Sequence, residues 1–267
     1  MRSPTLLALL LVLCMVYSCI PTKNLTYLQE GRSTNDSLIA INRQQPPYRV
    51  QINDVLSIRI KALDQNLVAL FNPTPARGEE ETQNALDEGY YYDGFAVDRH
   101  GDIRVPTLGK VPVLGLTVEE IREDIEKKLL ADYFTEEANI FVTVKLAGIK
   151  YTINGEVGLP GVKLELVEQL TLMQAIANSG DISLTGDRKD VVVIRQYPGG
   201  QQVHHVDLTK LDAMKSPYYY VQPNDLILVN PLPQKALGTG TTGLSSFTTI
   251  LSVVTALTTA ILLFIRL

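Results

Sequence analysis

The chain has 267 residues, 45% apolar and 20% charged, an ordinary globular composition with room for one large domain or two small ones. Its 24 basic and 29 acidic residues leave a net charge of −5, with no basic excess to neutralise phosphates, which argues against nucleic acid as a partner. Two cysteines near the N-terminus, Cys14 and Cys19, and three histidines exclude a disulfide framework and give no metal-ligand cluster; no metal and no cofactor are expected.

Residues 1–18 read as a signal segment. One positive charge, Arg2, precedes an uninterrupted apolar stretch over residues 6–16, too short to stay as a spanning helix. The stretch ends at Val16-Tyr17-Ser18-Cys19, which resembles a bacterial lipoprotein signal in which the cysteine is acylated before cleavage. Cys19 is then the lipidated first residue of the mature chain, and residues 19–45 a polar tether. Ile20 follows where an inner-membrane retention signal would carry Asp, which favours the outer membrane.

Pro46-Pro47 opens a soluble region that Pro231-Leu232-Pro233 closes. Within it, Tyr48-Arg49-Val50-Gln51-Ile52-Asn53-Asp54-Val55-Leu56 returns as Tyr219-Tyr220-Val221-Gln222-Pro223-Asn224-Asp225-Leu226-Ile227. The shared Y-x-V-Q-x-N-D spacing predicts a strand, a tight turn and a second strand. Asn53 and Asn224 tolerate positive φ, and Asp54 and Asp225 bond nearby amides. Both carboxylates read as turn residues, not as a catalytic pair, since neither has a candidate partner nearby in sequence. Leu56, Ile58 and Ile60 then alternate with Ser57, Arg59 and Lys61, a half-buried strand.

Residues 73–89, with Glu79-Glu80-Glu81, read as an acidic surface loop. Residues 95–98 and 102–105 are expected to flank a His100-Gly101 turn as a hairpin. Thr117-Val118-Glu119-Glu120 is a capping box with Leu116 and Ile121 as its staple, opening a helix with Val118, Ile121, Ile125 and Leu129 on its apolar stripe. Ile140, Val142, Val144 and Leu146 alternate as one strand face. A second capping box, Thr171-Leu172-Met173-Gln174, opens a helix ended by Gly180. Residues 191–196 and 202–208 form a hairpin around Pro198-Gly199-Gly200. In it His204 and His205 point to opposite faces and cannot readily share a metal. The Tyr90-Tyr91-Tyr92 and Tyr218-Tyr219-Tyr220 runs read as strand packing, with sugar stacking as the alternative.

Residues 233–246, rich in Gly, Thr and Ser, form a linker. Residues 247–265 then run without a charge, about 28 Å of helix, which matches a bilayer core. Thr248, Ser252, Thr255 and Thr259 recur on one helical face. Two readings of that stripe stay open. The hydroxyls bond back to carbonyls one turn earlier, or they face neighbouring helices or water inside a ring of identical helices.

Asp98-Arg99-His100-Gly101-Asp102-Ile103-Arg104-Val105-Pro106-Thr107-Leu108-Gly109, and the Val111 to Thr117 run before the first helix, closely resemble the polysaccharide export domain. Gly155-Glu156-Val157-Gly158-Leu159-Pro160-Gly161 and the 171–180 segment are similar to the β-grasp module called SLBB. The resemblance departs at Asn53 and Asn224, where the family usually carries Gly, and Asn is the best substitute there. It implies an α+β chain of two small β-rich domains, an export domain over 46–147 and a β-grasp domain over 148–232, with a C-terminal transmembrane helix.

The function implied is that of an outer-membrane lipoprotein of a capsule or exopolysaccharide exporter. Such proteins form homo-oligomeric rings with soluble domains in the periplasm and gather their C-terminal helices into a pore. They pass polysaccharide and dock on an inner-membrane polysaccharide co-polymerase, often coupled to a tyrosine kinase. With one β-grasp module the implied ring is short. The chain carries no nucleophile elbow, phosphate-cradling glycine loop or metal-spaced cluster, so no enzyme is expected. The competing reading is a periplasmic carbohydrate-binding or scaffolding lipoprotein without a pore, which has no use for the terminal helix.

Overall fold

The computed structural model describes residues 21–29, 47–72, 93–135, 138–197, 199–236, 248, 251–256, 258–259 and 263. The signal segment, Cys19, the acidic loop, the Tyr90 to Tyr92 run and most of the linker lie outside the described residues.

The first unit is built on β1 (Val55–Lys61), whose Leu56, Ile58 and Ile60 are buried while the intervening side chains face away. This is the period-two pattern of a sheet with one covered face. β1 pairs antiparallel with β2 (Phe95–Ala96) on one side and β5 (Phe141–Leu146) on the other. Helix α1 (Val118–Asp132) packs against β5 and buries Ile121, Ile125 and Leu129 in the same core. Its start is fixed by a complete capping box. Thr117 Oγ1 accepts from the Glu120 amide at 3.2 Å, and Glu120 Oε2 accepts from the Thr117 amide at 2.7 Å.

One expectation is corrected here. Residues 95–98 and 102–105 do not form a hairpin ladder. β3 (Asp102–Val105) pairs forward with β4 (Gly109–Pro112), and β2 belongs to β1. The reason lies in Pro106-Thr107-Leu108, where the Leu108 amide donates to the Pro106 carbonyl at 2.8 Å and Thr107 takes φ 69°. That three-residue turn reverses the chain more tightly than the Asp98 to Gly101 loop, where the Asp98 carboxylate collects the His100 and Asp102 amides.

Only Ala147 and Gly148 separate β5 from β6 (Ile149–Gly155), the first strand of the second unit. Its sheet has the order β10-β9-β12-β6-β7, with β7 (Gly161–Glu165), β9 (Gly186–Tyr197), β10 (Gly200–Val206) and β12 (Leu226–Pro231). β12 and β6 are parallel and the other pairs antiparallel. A two-stranded piece joins β8 (Leu170–Thr171) to β11 (Tyr220–Val221). β8 leads into α2 (Leu172–Asn178), whose Leu172, Ala175 and Ile176 cover Tyr151, Ile153, Val191, Val193, Ile227 and Val229 of the sheet. Both units are thus α+β, each with its longest described helix packed over a small sheet.

Within the expected tether, residues 21–29 dock on the second unit, where Tyr27 and Leu28 pack against its core. The Leu28 and Gln29 amides donate to the Leu208 and Thr209 carbonyls at 3.0 and 2.7 Å. Tyr27 and Leu28 gain a core to bury in, which offsets the cost of ordering the segment.

The parallel β6–β12 pair depends on Gly155. It holds φ 96°, and a Cβ there would lie 2.0 Å from the Val229 carbonyl oxygen. Gly109 also has positive φ, 77°, but open space around it. In chemical denaturation of the detergent-solubilised full chain, Gly109→Ala should cost about 1–2 kcal/mol, the penalty of left-handed backbone alone. Gly155→Ala should cost clearly more, because the strand pair must open.

Candidate functional site

The two copies of the repeated turn face each other where the units meet. In each, the fourth residue closes back on the first: the Asp54 amide donates to the Gln51 carbonyl and the Asp225 amide to the Gln222 carbonyl, both at 3.2 Å. Asn53 and Asn224 occupy the left-handed region at φ 71° and 65°. Pro223, with its fixed φ, precedes Asn224 in the order that a type II turn favours. Each turn also docks on a neighbouring strand in the same way. Asn53 donates to the Val97 carbonyl and Val97 back to Asp54, while Asn224 donates to Lys150 and Thr152 back to Asp225.

The carboxylates are where the copies diverge. Asp54 is 1% exposed. Its Oδ2 accepts from the Tyr48 hydroxyl at 2.6 Å and the Gln51 amide at 2.8 Å. Its Oδ1 accepts from Nδ2 of Asn224 at 3.2 Å, a bond between the two turns and the two units. Asp225, equally buried, accepts the Gln222 amide at 2.8 Å and a two-pronged pair from Arg195, Nε at 3.0 Å and Nη2 at 2.7 Å. Arg195 also donates to the Tyr220 carbonyl, and its guanidinium carbon lies 5.5 Å from the Tyr218 ring centre. Burial pushes the Asp225 carboxyl up and the paired guanidinium pulls it back down. Asp54 has no such cation, and burial pushes it to about 6.

The partners that hold the two aspartates come from elsewhere in the fold, as Arg195 and Asn224 show. The arrangement offers no catalyst, because both carboxylates are sealed from water and spend their oxygens on turn amides and cross-unit bonds. Beside them runs a groove lined by Pro47, Tyr48, Glu168, Gln169, Tyr220 and Pro223. Among the described residues no group of His, Cys, Asp and Glu is arranged to hold a metal ion.

The remaining predicted residues lie elsewhere. Thr248, Ser252, Thr255 and Thr259 are described as helical. The Thr255 hydroxyl donates to the Leu251 and Ser252 carbonyls at 2.8 and 2.9 Å, and Thr259 to Thr255 at 2.5 Å. Among the described residues no helix is long and apolar enough to cross a membrane, and the 247–265 block is described only in part. His204 stacks on Tyr218 with ring centres 3.4 Å apart, while His205 pairs with Asp190 at 2.5 Å. Tyr219 is buried and meets Tyr220 edge to face, so these tyrosines are engaged within the fold.

Sequence reasoning missed Arg195 and the role of Tyr48. Arg195 had a visible signal: it interrupts the apolar run Val191-Val192-Val193-Ile194 of a core strand, and a cation there needs a buried carboxylate.

The pH dependence of Asp54 has a definite sign. Its folded value lies above the ordinary 3.8, so the native state binds the proton more tightly and the group adds stability as pH falls from about 6 towards 4. The titratable group that faces it is its donor Tyr48, on which Asp225 and Arg195 act in turn. Between pH 7.5 and 5, thermal unfolding of the full chain should shift upward relative to Asp54→Asn, which lacks this component. Parallel pH profiles for the two proteins would contradict it.

Residues 42–145 match the sequence profile of the polysaccharide biosynthesis/export protein family, and residues 149–229 match that of the SLBB domain. Among curated proteins, the chain is similar to the "EPS I polysaccharide export outer membrane protein EpsA" of Ralstonia nicotianae, 27% identical over 157 residues, 58% of this chain and 40% of the relative. The protein of the same name from Ralstonia solanacearum is 27% identical over 168 residues, 62% of this chain and 42% of the relative. The matched region thus spans about two fifths of the length of these relatives. The two profile matches follow one another in the order of the two folded units, meeting at the Ala147-Gly148 link, so the chain carries a polysaccharide export domain followed by an SLBB domain.

Proposed function

We propose that the chain is a subunit of an outer-membrane exporter of capsule or exopolysaccharide, a transport component rather than an enzyme. The observation that carries this is the tandem of export and SLBB domains, supported by relatives named as outer-membrane export proteins. Cys19 is lipidated, the two units stand in the periplasm, and residues 247–265 cross the outer membrane as a helix. A single helix encloses no lumen, so the subunits assemble as a homo-oligomeric ring whose helices surround the pore. The exported polysaccharide passes through it, handed on by an inner-membrane polysaccharide co-polymerase or its associated tyrosine kinase.

The back-bonded hydroxyls of Thr255 and Thr259 suit both roles open to the stripe. Satisfying a hydroxyl on its own helix lets it sit in lipid or at a helix contact, and each oxygen keeps a lone pair for lumen water.

Particle mass of the detergent-extracted full chain, measured beside a chain ending at Ser245, tests the assembly. A large ring that weakens or dissociates without the terminal helix is expected. A full-length monomer would refute the pore and return the chain to a carbohydrate-binding lipoprotein. Thr255→Leu should leave secretion and anchoring intact and lower polymer export several-fold. Normal export by that variant would show that the stripe is tolerated and unused.

A further inference from the structure

The two membrane-directed ends of the chain converge on one loop of the second unit. At the N-terminal end, the Tyr27 hydroxyl donates to Asp181 Oδ1 at 2.5 Å, and the Tyr27 ring lies 5.1 Å from the guanidinium carbon of Arg188. Arg188 is buried and donates to the carbonyls of Ile182 at 2.5 Å and Ser183 at 3.1 Å, which ties the N-terminal strap, residues 21–29, to the loop. At the C-terminal end, the Leu232 amide donates to the Thr185 carbonyl at 2.7 Å as the chain leaves β12. Ser183 and Thr185 hydroxyls donate to Glu156 Oε2 at 2.9 and 2.6 Å, and the other oxygen of Glu156 holds Lys235 in the helical turn Pro233–Ala236. Residues 181–185 therefore grip the chain on its way in and on its way out.

The strands give this end a direction. β6 and β12 are parallel, and both start at the unit junction, beside Lys150 and Asp225, and finish at Glu156 and Leu232. β1 starts at the same junction and β5 ends there. The Ala147 amide donates to the Val55 carbonyl at that end, and Lys61 pairs with Phe141 at the far end. The clamped loop and the tip of the first unit are thus each at the strand end remote from the junction, one in each unit. Chain length decides which of them is held near a lipid anchor. From Cys19 to Tyr27 is about eight residues, at most about 28 Å even if fully extended, and that reach starts at the clamp.

Two large apolar side chains stand exposed beside the clamp, Leu184 at 53% and Leu159 at 60%. Their backbones are held firmly. Leu159 donates to the Ser179 carbonyl at 2.7 Å, and its neighbour Gly158 to Asp181 at 3.0 Å. We propose that this end of the second unit, residues 156–160 and 181–186, rests on the membrane surface with Leu159 and Leu184 in contact with lipid. The inference rests on the reading of Cys19 as lipidated. Exposed leucines on a face held within tether length of a bilayer gain by burial at the acyl boundary. The exposed leucines of the first unit, Leu63, Leu67 and Leu70, follow β1 on the first unit, where nothing described ties them to the clamp that holds the tether.

The test uses the full-length lipidated protein in phosphatidylethanolamine–phosphatidylglycerol vesicles. The lipidated mature chain has no free thiol, so Leu159→Cys, Leu184→Cys and, as control, Leu63→Cys each take one environment-sensitive fluorophore. Spin-labelled lipid should quench the labels at 159 and 184 several-fold more than the label at 63, and aqueous iodide should do the reverse. Equal quenching at the three positions, with palmitate incorporation confirming the anchor, overturns the proposal. So does shielding of 159 and 184 from both quenchers, which marks contact with a second copy of the chain. Failure to incorporate palmitate, with the fluorophore reacting at Cys19 itself, overturns the lipid-anchor reading and this inference with it.

Discussion

A carboxylate taken out of water costs several kcal/mol unless other donors replace its hydration. Asp54 is such a group, and its needs are met from three places: its own turn through Gln51, the segment before it through Tyr48, and the other unit through Asn224. That last bond links residues far apart in sequence, so the first unit cannot satisfy its buried acid without the second in place. The two-residue link at Ala147-Gly148 and the sealed aspartates act together, and the units meet in a fixed way with little chain between them.

The same constraint explains why the second copy differs. Tyr219 stands six residues before Asp225 as Tyr48 does before Asp54, but it is engaged with Thr171 and Asp225 takes two bonds from Arg195 of β9 instead. One copy is closed by a neutral hydroxyl and the other by a cation. This leaves Asp54 the more easily protonated of two residues that occupy matching turns. The likeness between the copies extends past the turn. Val50 bonds to Leu116 and Val221 pairs with Leu170, and each of those leucines is followed by the threonine that caps the unit's helix. The export domain and the SLBB domain therefore share a small device in which a Val-Gln-x-Asn-Asp turn is braced on a Leu-Thr helix start, used in opposite chain order.

Beyond the junction, the strands of each unit end in a tip, and the two tips differ in character. One carries the clamp at residues 181–185, where both the strap and the exit from β12 are held. The other carries exposed leucines and Phe141 of the first unit. If the chain is the exporter subunit proposed above, this difference suits one tip to lipid and the other to a protein partner.

Local physics was legible in the sequence. Period-two alternation marked β1 and β5, two capping boxes marked the helix starts, and the repeated Tyr-x-Val-Gln-x-Asn-Asp spacing marked both turns, because each depends on residues within one or two turns of chain. Several motifs in order also identified the family. The hairpin partner of β3 was misplaced, since a three-residue turn at Thr107 needs a positive φ that a threonine does not advertise. The meeting of Asp54 with Asn224, the pairing of Arg195 with Asp225 and the docking of Tyr27 on Asp181 were not readable. They join residues dozens to well over a hundred positions apart, and only the packing of one sheet against another decides which buried charge finds which donor.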